Sequence, residues 1–196
     1  LVPQPTSTTH DFFLWPAFYD ITLLVDRADY VGKLIWYFGV YEEDIIRVLK
    51  NYLDKGDVFL DVGSYIGSIA CVASRFVGDY GFVYAIEPSF DNYKMLCKNI
   101  EINNLKNVYS FQIALGNKVS KARIYIRNRR NRGMDSLVLT EEMEEESGKE
   151  VSVTTIDTLI ETKQIRIPHF IKIDVEGYEL EVLEGAQKLL KSQYAP

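Results

Sequence analysis

Residues Val58 to Gly67 read VFLDVGSYIG, the most informative segment for the fold class. Its first part, residues 58–60, is a short apolar run, and the turn residues Asp61 and Gly63 follow directly. A run of this kind that ends in a turn predicts a buried strand. From Ile66 to Val77, apolar residues recur at spacings of three and four, which predicts a helix. A strand, a tight turn and a helix in this order begin an α/β sheet.

Outward from this unit, strand-like and helix-like segments alternate along the chain. The patterning predicts further strands at 82–86, 108–115 and 169–175, and helices at 41–53, 89–102, 156–161 and 178–192. Two β segments, 122–126 and 151–155, predict a hairpin-like insertion after the third strand. The alternation predicts an α/β fold with a doubly wound, mostly parallel sheet.

The composition indicates a globular protein and excludes several classes. Of its 196 residues, 47% are apolar and 26% are charged, which suits a chain with a core. No apolar run approaches the ~18–20 residues of a transmembrane helix, and the net charge of −6 argues against nucleic acid as a partner. Cys71 and Cys97 are not spaced as a metal-type pair and predict small buried thiols in a reducing compartment. Without a basic, secretory-type start, the sequence predicts a cytoplasmic protein.

An aromatic-rich arm is predicted at residues 1–40. Its aromatic side chains begin at Phe12 and continue to Tyr37. They have two interpretations: the arm packs onto the core of the domain, or it forms a lid over an apolar ligand.

The glycine turn has the pattern D-x-G-x-x-x-G, from Asp61 through Gly63 and Ser64 to Gly67. Gly63 allows the backbone to turn sharply and to approach a ligand closely. The spacing differs from the G-x-G-x-x-G fingerprint of dinucleotide-binding proteins. An acidic residue at the strand end would repel a pyrophosphate, whereas it suits a ligand with a cationic amino group.

Glu87 closes the second predicted strand, 24 positions after Gly63. In doubly wound nucleotide-binding folds, an acidic residue about 20 positions after the glycine turn accepts hydrogen bonds from ribose hydroxyls. A ribose site without a pyrophosphate site, beside a site for a cationic amine, fits S-adenosylmethionine better than NAD.

Asp174 and Glu176 lie at the carboxyl end of the last predicted strand, the edge where ligands bind in open α/β sheets. Side chains alternate along an extended strand, so these two carboxylates are expected to share a face. Paired carboxylates can shift each other's pKa and leave one of them as a base. The alternative is structural: Glu176 and Glu179 fit the first turn of the last helix.

Five sequence blocks together resemble the FkbM family, a branch of the S-adenosylmethionine-dependent methyltransferases. The blocks lie between Asp57 and Leu190, and they read DVG…G from Asp61, AIEP from Ala85, TTID from Thr154, IKIDVEGYEL from Ile171 and LEGA from Leu183. The resemblance implies a class I methyltransferase fold of Rossmann-like type. Residues 41–196 would then form the S-adenosylmethionine-binding domain, whose usual activity is methylation of a hydroxyl oxygen.

Roles for single residues follow from this resemblance together with the positions above. Asp61 would hold the amino group of the donor, and the turn of Gly63, Ser64 and Gly67 would allow its close approach. Glu87 would bind the ribose, and Ala114 and Leu115 would flank the adenine. Asp174 would lie near the methionine moiety and the transferring methyl group, and Asp174 or Glu176 would be the base.

Two departures from the family pattern carry further expectations. Tyr65 stands where the family usually has Asn, and because tyrosine tolerates a left-handed backbone poorly, the turn is expected to differ locally. The strands that usually follow the last helix are missing from this sequence, so the apolar fourth strand, 170–175, should be an open edge. Either residues beyond Pro196 exist in the natural protein, or the arm or a second copy of the chain covers this edge.

The sequence does not distinguish between three kinds of methyl acceptor: a small molecule, a sugar or a glycan. Arg127, Arg129, Arg130 and Arg132 form a basic run that could grip an anionic acceptor, or they belong to a solvated insertion. Two other functions remain as alternatives. One is a non-catalytic S-adenosylmethionine-binding or assembly module, and the other is an NAD-dependent oxidoreductase.

Overall fold

The computed structural model describes residues 11–125, 137 and 148–196. In chain order, its elements are β1 (Phe12–Pro16), β2 (Thr22–Asp26), α1 (Tyr30–Phe38), α2 (Glu43–Tyr52), β3 (Val58–Val62), α3 (Ser68–Val77), β4 (Phe82–Ile86), α4 (Phe90–Ile102), β5 (Val108–Phe111), β6 (Ala114–Leu115), β7 (Ser120–Ile124), β8 (Lys149–Thr154), α5 (Ile156–Glu161), β9 (Phe170–Ile173), α6 (Glu179–Glu184) and α7 (Gln187–Leu190).

The central sheet has four strands in the order β5-β4-β3-β9, and all neighbouring pairs are parallel. Side chains alternate across β3, so Val58, Leu60 and Val62 enter one apolar core while Phe59 enters the other. Helices α2, α3 and α4 contribute to the core on the Phe59 side, and α5, α6 and α7 contribute to the opposite core. Helices on both faces of a parallel sheet confirm the predicted doubly wound α/β fold.

The predicted third strand, 108–115, is divided between two sheets. Its first part, β5, pairs with β4 only as far as Phe111, which lies opposite Ile86 at the end of β4. The chain then pairs in parallel with β8, where Ala114 lies opposite Val153. The antiparallel β7–β8 pair completes this second sheet, so the predicted β insertion is present.

The predicted final helix, 178–192, is interrupted. It consists of α6 and α7, separated at Gly185 and Ala186. A Cβ on Gly185 would lie 2.0 Å from the carbonyl oxygen of Gly116, so the chain makes a close backbone contact at the break. In α7, the N–H groups of Lys188 and Leu189 donate hydrogen bonds to the two oxygens of the Asp157 carboxylate, at 2.8 Å and 3.0 Å. The interruption therefore depends on contacts with distant segments.

The aromatic arm packs onto the core and is tied to α4. Strands β1 and β2 form an antiparallel hairpin, and Ile21, Leu23 and Val25 are fully buried in the core that also contains α3. The side-chain amide oxygen of Asn99 accepts a hydrogen bond from the N–H of Leu24 at 2.6 Å. Most contacts of the arm therefore fit the first interpretation, in which it packs onto the core of the domain, and not the second, in which it forms a lid. The division of the chain at residue 40 stays a prediction.

Strand β9 lies at one edge of the central sheet and pairs with β3. On one face of it, the ring of Phe170 packs against Tyr52 and Phe59, with centroid separations of 6.4 and 6.2 Å. A homo-oligomer through this edge stays a prediction. Over the part of the chain that the structure describes, no helix combines the length and the apolar character needed to cross a membrane.

The two cysteines are free thiols, as expected, but they differ in exposure. Cys71 is buried and Cys97 is half-buried. Burial raises the pKa of the Cys71 thiol to about 12, so it stays protonated and packs as a small apolar group.

Candidate active site

A cleft opens at the carboxyl ends of β3, β4 and β9, the edge at which ligands bind in open α/β sheets. The turn after β3 and the segments that follow β4 and β9 form its floor and sides. The arm and the start of α2 form another wall. The lining residues are Tyr30, Val31, Tyr41, Glu42, Val62, Gly63, Ser64, Tyr65, Ser68, Ile69, Ile86, Glu87, Pro88, Asn92, Ala114, Leu115, Ile124, Leu137, Lys172, Asp174, Val175 and Glu176.

The glycine turn is shaped by three residues with left-handed backbones: Gly63 (φ 82°), Tyr65 (φ 52°) and Gly67 (φ 81°). A Cβ on Gly63 would lie 1.8 Å from the carbonyl oxygen of Asp174, so only glycine fits between β3 and the end of β9. The Ser64 hydroxyl donates to the carbonyl oxygen of Asp61 at 2.8 Å and closes the turn. We expected Tyr65 to avoid the left-handed backbone region, but it adopts this region.

Glu87 is buried and is held at the cleft wall by two backbone groups. Its Oε2 accepts a hydrogen bond from the N–H of Tyr65, and its Oε1 accepts one from the N–H of Ser89, both at 2.8 Å. Ser89 is the N-cap residue of α4, but its side chain makes no capping hydrogen bond. Each carboxylate oxygen can accept more than one hydrogen bond, so the fixed Glu87 carboxylate can also accept from a ligand hydroxyl.

Lys172 also lines the cleft, although no role for it was predicted from the sequence. It lies directly opposite Asp61 in the β3–β9 register, and its ammonium is 3.6 Å from Asp61 Oδ1 and 3.3 Å from Asp174 Oδ2. Burial of Lys172 disfavours its charge, but the carboxylates of Asp61, Asp174 and Glu42 together raise its pKa. The signal in the sequence was a single charged residue inside an apolar strand, which needs a partner once it is buried.

Asp61 is completely buried, and the structure does not place it on the cleft wall. Neither of its carboxylate oxygens has a hydrogen-bond partner among the described residues. Burial raises the pKa of this carboxyl in spite of the nearby Lys172 ammonium. The Lys172 side chain contacts the buried Asp61 on one side and reaches the cleft on the other.

The raised pKa of Asp61 predicts a pH dependence of stability. The folded state holds the proton of this carboxyl more tightly than the unfolded state, so its contribution to stability is lost as the pH rises through the folded-state pKa. In the Asp61→Asn variant, the amide that replaces the carboxyl cannot ionise. The free energy of unfolding of the wild type, measured by urea denaturation relative to this variant, should therefore fall between pH 4 and pH 8.

Glu101→Gln supplies the matched contrast for this measurement. A hydrogen bond from Lys98 lowers the pKa of the exposed Glu101, so the wild type should gain stability over this variant as the pH rises. If the free energies of unfolding of Asp61→Asn and the wild type changed in parallel with pH, Asp61 would have the same pKa in the folded protein as in the unfolded chain.

Tyr41 and Glu42 were also missed, because they precede the motifs and reach the cleft only through the packing of α2. Glu42 has a left-handed backbone (φ 56°), and burial raises the pKa of its carboxyl. Burial and the Glu42 carboxylate raise the pKa of Tyr41 to about 12. Among the described lining residues, Lys172 is the one Lys or Arg, so Glu42, Asp174 and Glu176 make this end of the cleft acidic.

Asp174 and Glu176 both line the cleft, but not by strand alternation. Strand β9 ends at Ile173, and the loop that follows carries both residues, with Glu176 in a left-handed conformation (φ 52°). The structural role considered for Glu176 belongs to Glu179, which lies in the first turn of α6 and whose Oε1 accepts from the N–H groups of Val175 and Gly177 at 3.2 Å.

The structure thus gathers most of the predicted site residues around one cleft. The residues on its wall are Gly63, Ser64, Glu87, Ala114, Leu115, Asp174 and Glu176. Asp61 and Gly67 lie outside the wall; a Cβ on Gly67 would be 2.4 Å from Leu96 Cδ1, so this glycine permits packing against α4. The arginines at 127, 129, 130 and 132 lie outside the described residues.

Comparison with known proteins assigns the family. Residues 61–196 match the family model described as the methyltransferase FkbM domain, and this range is more than half of the chain. The chain therefore belongs to the FkbM methyltransferase family, as the resemblance implied. This membership supports S-adenosylmethionine as the cofactor.

Two curated relatives are also methyltransferases. The chain is 30% identical over 151 residues to the hexuronic acid methyltransferase AglP of Haloferax volcanii, an alignment that covers 77% of this chain and 59% of AglP. It is 31% identical over 150 residues to a protein of Sulfolobus acidocaldarius named "Probable cobalt-precorrin-6B C(15)-methyltransferase (decarboxylating)", covering 71% of this chain and 73% of that protein. The chain thus spans less than two thirds of the length of AglP.

Among solved structures, the chain is similar to precorrin-6y C5,15-methyltransferase from Geobacter metallireducens. The TM-score is 0.48 at 14% identity, over 79% of this chain and 60% of that one.

Proposed function

We propose that this chain binds S-adenosylmethionine in the cleft and transfers its methyl group to an oxygen atom of a sugar or glycan. The observation that carries the proposal is the Glu87 carboxylate, fixed by two backbone N–H groups at the cleft wall, directly beside the Gly63 turn. When bound, S-adenosylmethionine supplies a methyl group that its positive sulfonium already activates for displacement.

The described residues fit this donor. One end of the cleft is lined by the carboxylates of Glu42, Asp174 and Glu176 and, among the described residues, by the single ammonium of Lys172. This environment suits a ligand with two positive groups and one carboxylate. At the other end, Ile86 and Leu115 offer apolar surface for a planar base. The acidic end disfavours the pyrophosphate of NAD, which counts against an oxidoreductase.

Each residue then has a defined task. Glu87 accepts hydrogen bonds from ribose hydroxyls, and Gly63 keeps the backbone close to the donor. Ala114 and Leu115 flank the adenine. Asp61 holds the ammonium of Lys172 from behind, so its effect on the donor passes through Lys172 instead of direct contact.

Proton removal from the acceptor falls to Asp174 or Glu176. With donor and acceptor bound, one of these carboxylates would take the proton of the acceptor hydroxyl as its oxygen gains the methyl group. Both carboxylates line the cleft, and the backbone holds them on either side of Val175. Positioning of the acceptor beside them supplies much of the acceleration.

The acceptor class rests on AglP, whose name states that it acts on a hexuronic acid. A sugar of this kind carries hydroxyl groups and a carboxylate. Methyl transfer from labelled S-adenosylmethionine should therefore be measured with glycans that contain uronic acid and with otherwise equal neutral glycans. Transfer to the uronic acid glycans supports the proposal. Donor binding without transfer to either set would favour the non-catalytic module.

The ribose role of Glu87 is tested by Glu87→Ala. Loss of hydrogen bonds to a charged acceptor costs about 1.5–3 kcal/mol, so the dissociation constant for S-adenosylhomocysteine should rise about tenfold or more in calorimetry. Glu101→Ala, at an exposed position on α4, is the control and should bind as the wild type does. Equal affinity of Glu87→Ala and the wild type would remove the ribose assignment.

A further inference from the structure

Three residues of the cleft have a strained, left-handed backbone. Among the described residues, the non-glycine positions with a positive φ are Tyr19, Asp20, Glu42, Tyr65, Asn104, Lys163 and Glu176. Of these, Glu42, Tyr65 and Glu176 line the cleft. A left-handed conformation persists at a bulky residue only when its surroundings hold it in place, and such residues cluster at ligand sites.

Tyr65 is held at both ends by short hydrogen bonds. Its backbone N–H donates to Glu87 Oε2 at 2.8 Å, and its phenol hydroxyl donates to Asp29 Oδ2 at 2.7 Å. Asp29 is 1% exposed, so this second bond is made to a buried carboxylate. The side chain of Tyr65 therefore spans the space between the glycine turn and the N-terminal arm.

Asp29 also fixes the beginning of α1. It is the N-cap of this helix, and its Oδ2 accepts hydrogen bonds from the N–H groups of Val31 (3.0 Å) and Gly32 (3.3 Å). A Cβ on Gly32 would lie 2.0 Å from the carbonyl oxygen of Asp26, so α1 also packs closely against the end of β2. The first residues of α1, Tyr30 and Val31, line the cleft.

We propose that Tyr65 is a positioning residue that joins the donor-binding turn to the start of α1, and that this part of the arm is an integral wall of the donor site. The inference rests on the proposed donor site. It extends that site to residues 29–32, which precede the region matched by the FkbM family.

The two hydrogen bonds of Tyr65 explain how the glycine turn and the start of α1 are coupled. The phenol–Asp29 bond holds Tyr65 in its strained conformation, and this conformation directs its N–H at Glu87. A ligand that fixes Glu87 therefore also fixes Tyr65, and through Asp29 it fixes the N–H groups of Val31 and Gly32. Ordering at the glycine turn and ordering at α1 thus reinforce each other.

The first test compares the affinities of single and double variants for S-adenosylhomocysteine. Tyr65→Phe removes the hydroxyl and keeps the ring, and Asp29→Ser keeps an N-cap residue but is too short to reach the phenol. Each is expected to raise the dissociation constant about fivefold to tenfold, and the double variant should bind no more weakly than either single variant.

Tyr93→Phe is the matched control, because Tyr93 is a half-buried tyrosine whose hydroxyl bonds to the carbonyl oxygen of Ser110 and not to the arm. It should bind as the wild type does. Tyr65→Phe within twofold of the wild type, or effects of Tyr65→Phe and Asp29→Ser that simply multiply, would overturn the proposal.

The second test follows hydrogen exchange at the amides of Val31 and Gly32. In the wild type, S-adenosylhomocysteine should slow the exchange of both amides. In the Tyr65→Phe variant, the ligand should no longer slow this exchange, even at a saturating ligand concentration. If Tyr65 had only a structural role, the ligand would slow the exchange in the variant as well. A wild type that binds the ligand without slowing at these amides contradicts the coupling alone. A wild type that does not bind it at all contradicts the donor site, and the coupling with it.

Discussion

Asp174→Asn is expected to lower the turnover number for methyl transfer by about 10²–10⁴-fold, the range associated with a positioned acid or base. The change keeps the size of the side chain and removes the charge that faces the Lys172 ammonium, while two backbone contacts hold position 174 in place. Its N–H donates to the carbonyl oxygen of Val62 at 3.0 Å, and its own carbonyl oxygen packs against Gly63. The fold should therefore survive, as thermal unfolding can verify.

Glu176→Gln decides between the two candidate bases, and Asp79→Asn, at an exposed position away from the cleft, is the control for loss of a carboxylate. If Glu176→Gln loses turnover while Asp174→Asn keeps it, the base is Glu176. Wild-type turnover in both variants would mean that neither carboxylate takes the proton of the acceptor.

Gly63→Ala is expected to destabilise the protein by roughly 2–5 kcal/mol, from a left-handed backbone and a severe contact together. The added Cβ would lie 1.8 Å from the carbonyl oxygen of Asp174 at a position with φ 82°. Backbone atoms cannot yield there without separating β3 from the end of β9. Binding of S-adenosylhomocysteine should also fall, since the shift occurs in the wall of the cleft.

The Gly56→Ala variant separates the cost of a left-handed backbone from the cost of a close atomic contact. Gly56 has φ 96°, but a Cβ there would meet no atom within 4 Å. It should cost only the left-handed penalty of about 1–2 kcal/mol. The measurement is urea denaturation of both variants against the wild type. Equal losses would mean that the structure relaxes around the methyl group added at position 63 and that the close approach to Asp174 is not required.

Local patterns were sufficient where an element depends on its own residues. The bounds of β4 and α5, Phe82–Ile86 and Ile156–Glu161, were predicted from an apolar run and from a helical pattern with Asp157 in the first turn. The division of 108–115 was not predictable in this way, because it depends on where Ile86 ends β4 and on a pairing with β8, about 40 positions later in the chain.

The candidate site shows the same division. Gly63, Glu87 and Asp174 were found from their places after strands, since the carboxyl ends of parallel strands meet at one edge. Lys172 was overlooked because its role arises from its register opposite Asp61. Glu42 lies before every motif and reaches the cleft only through tertiary packing.

A crystal structure of the protein with S-adenosylhomocysteine would test whether the cleft beside Gly63 and Glu87 is the donor site. We expect ribose hydroxyls within hydrogen-bond distance of the Glu87 carboxylate, the adenine beside Leu115 and the amino-acid end near Lys172. A ligand bound elsewhere, or one in the cleft with its ribose away from Glu87, would show that this cleft does not bind the donor in the way proposed.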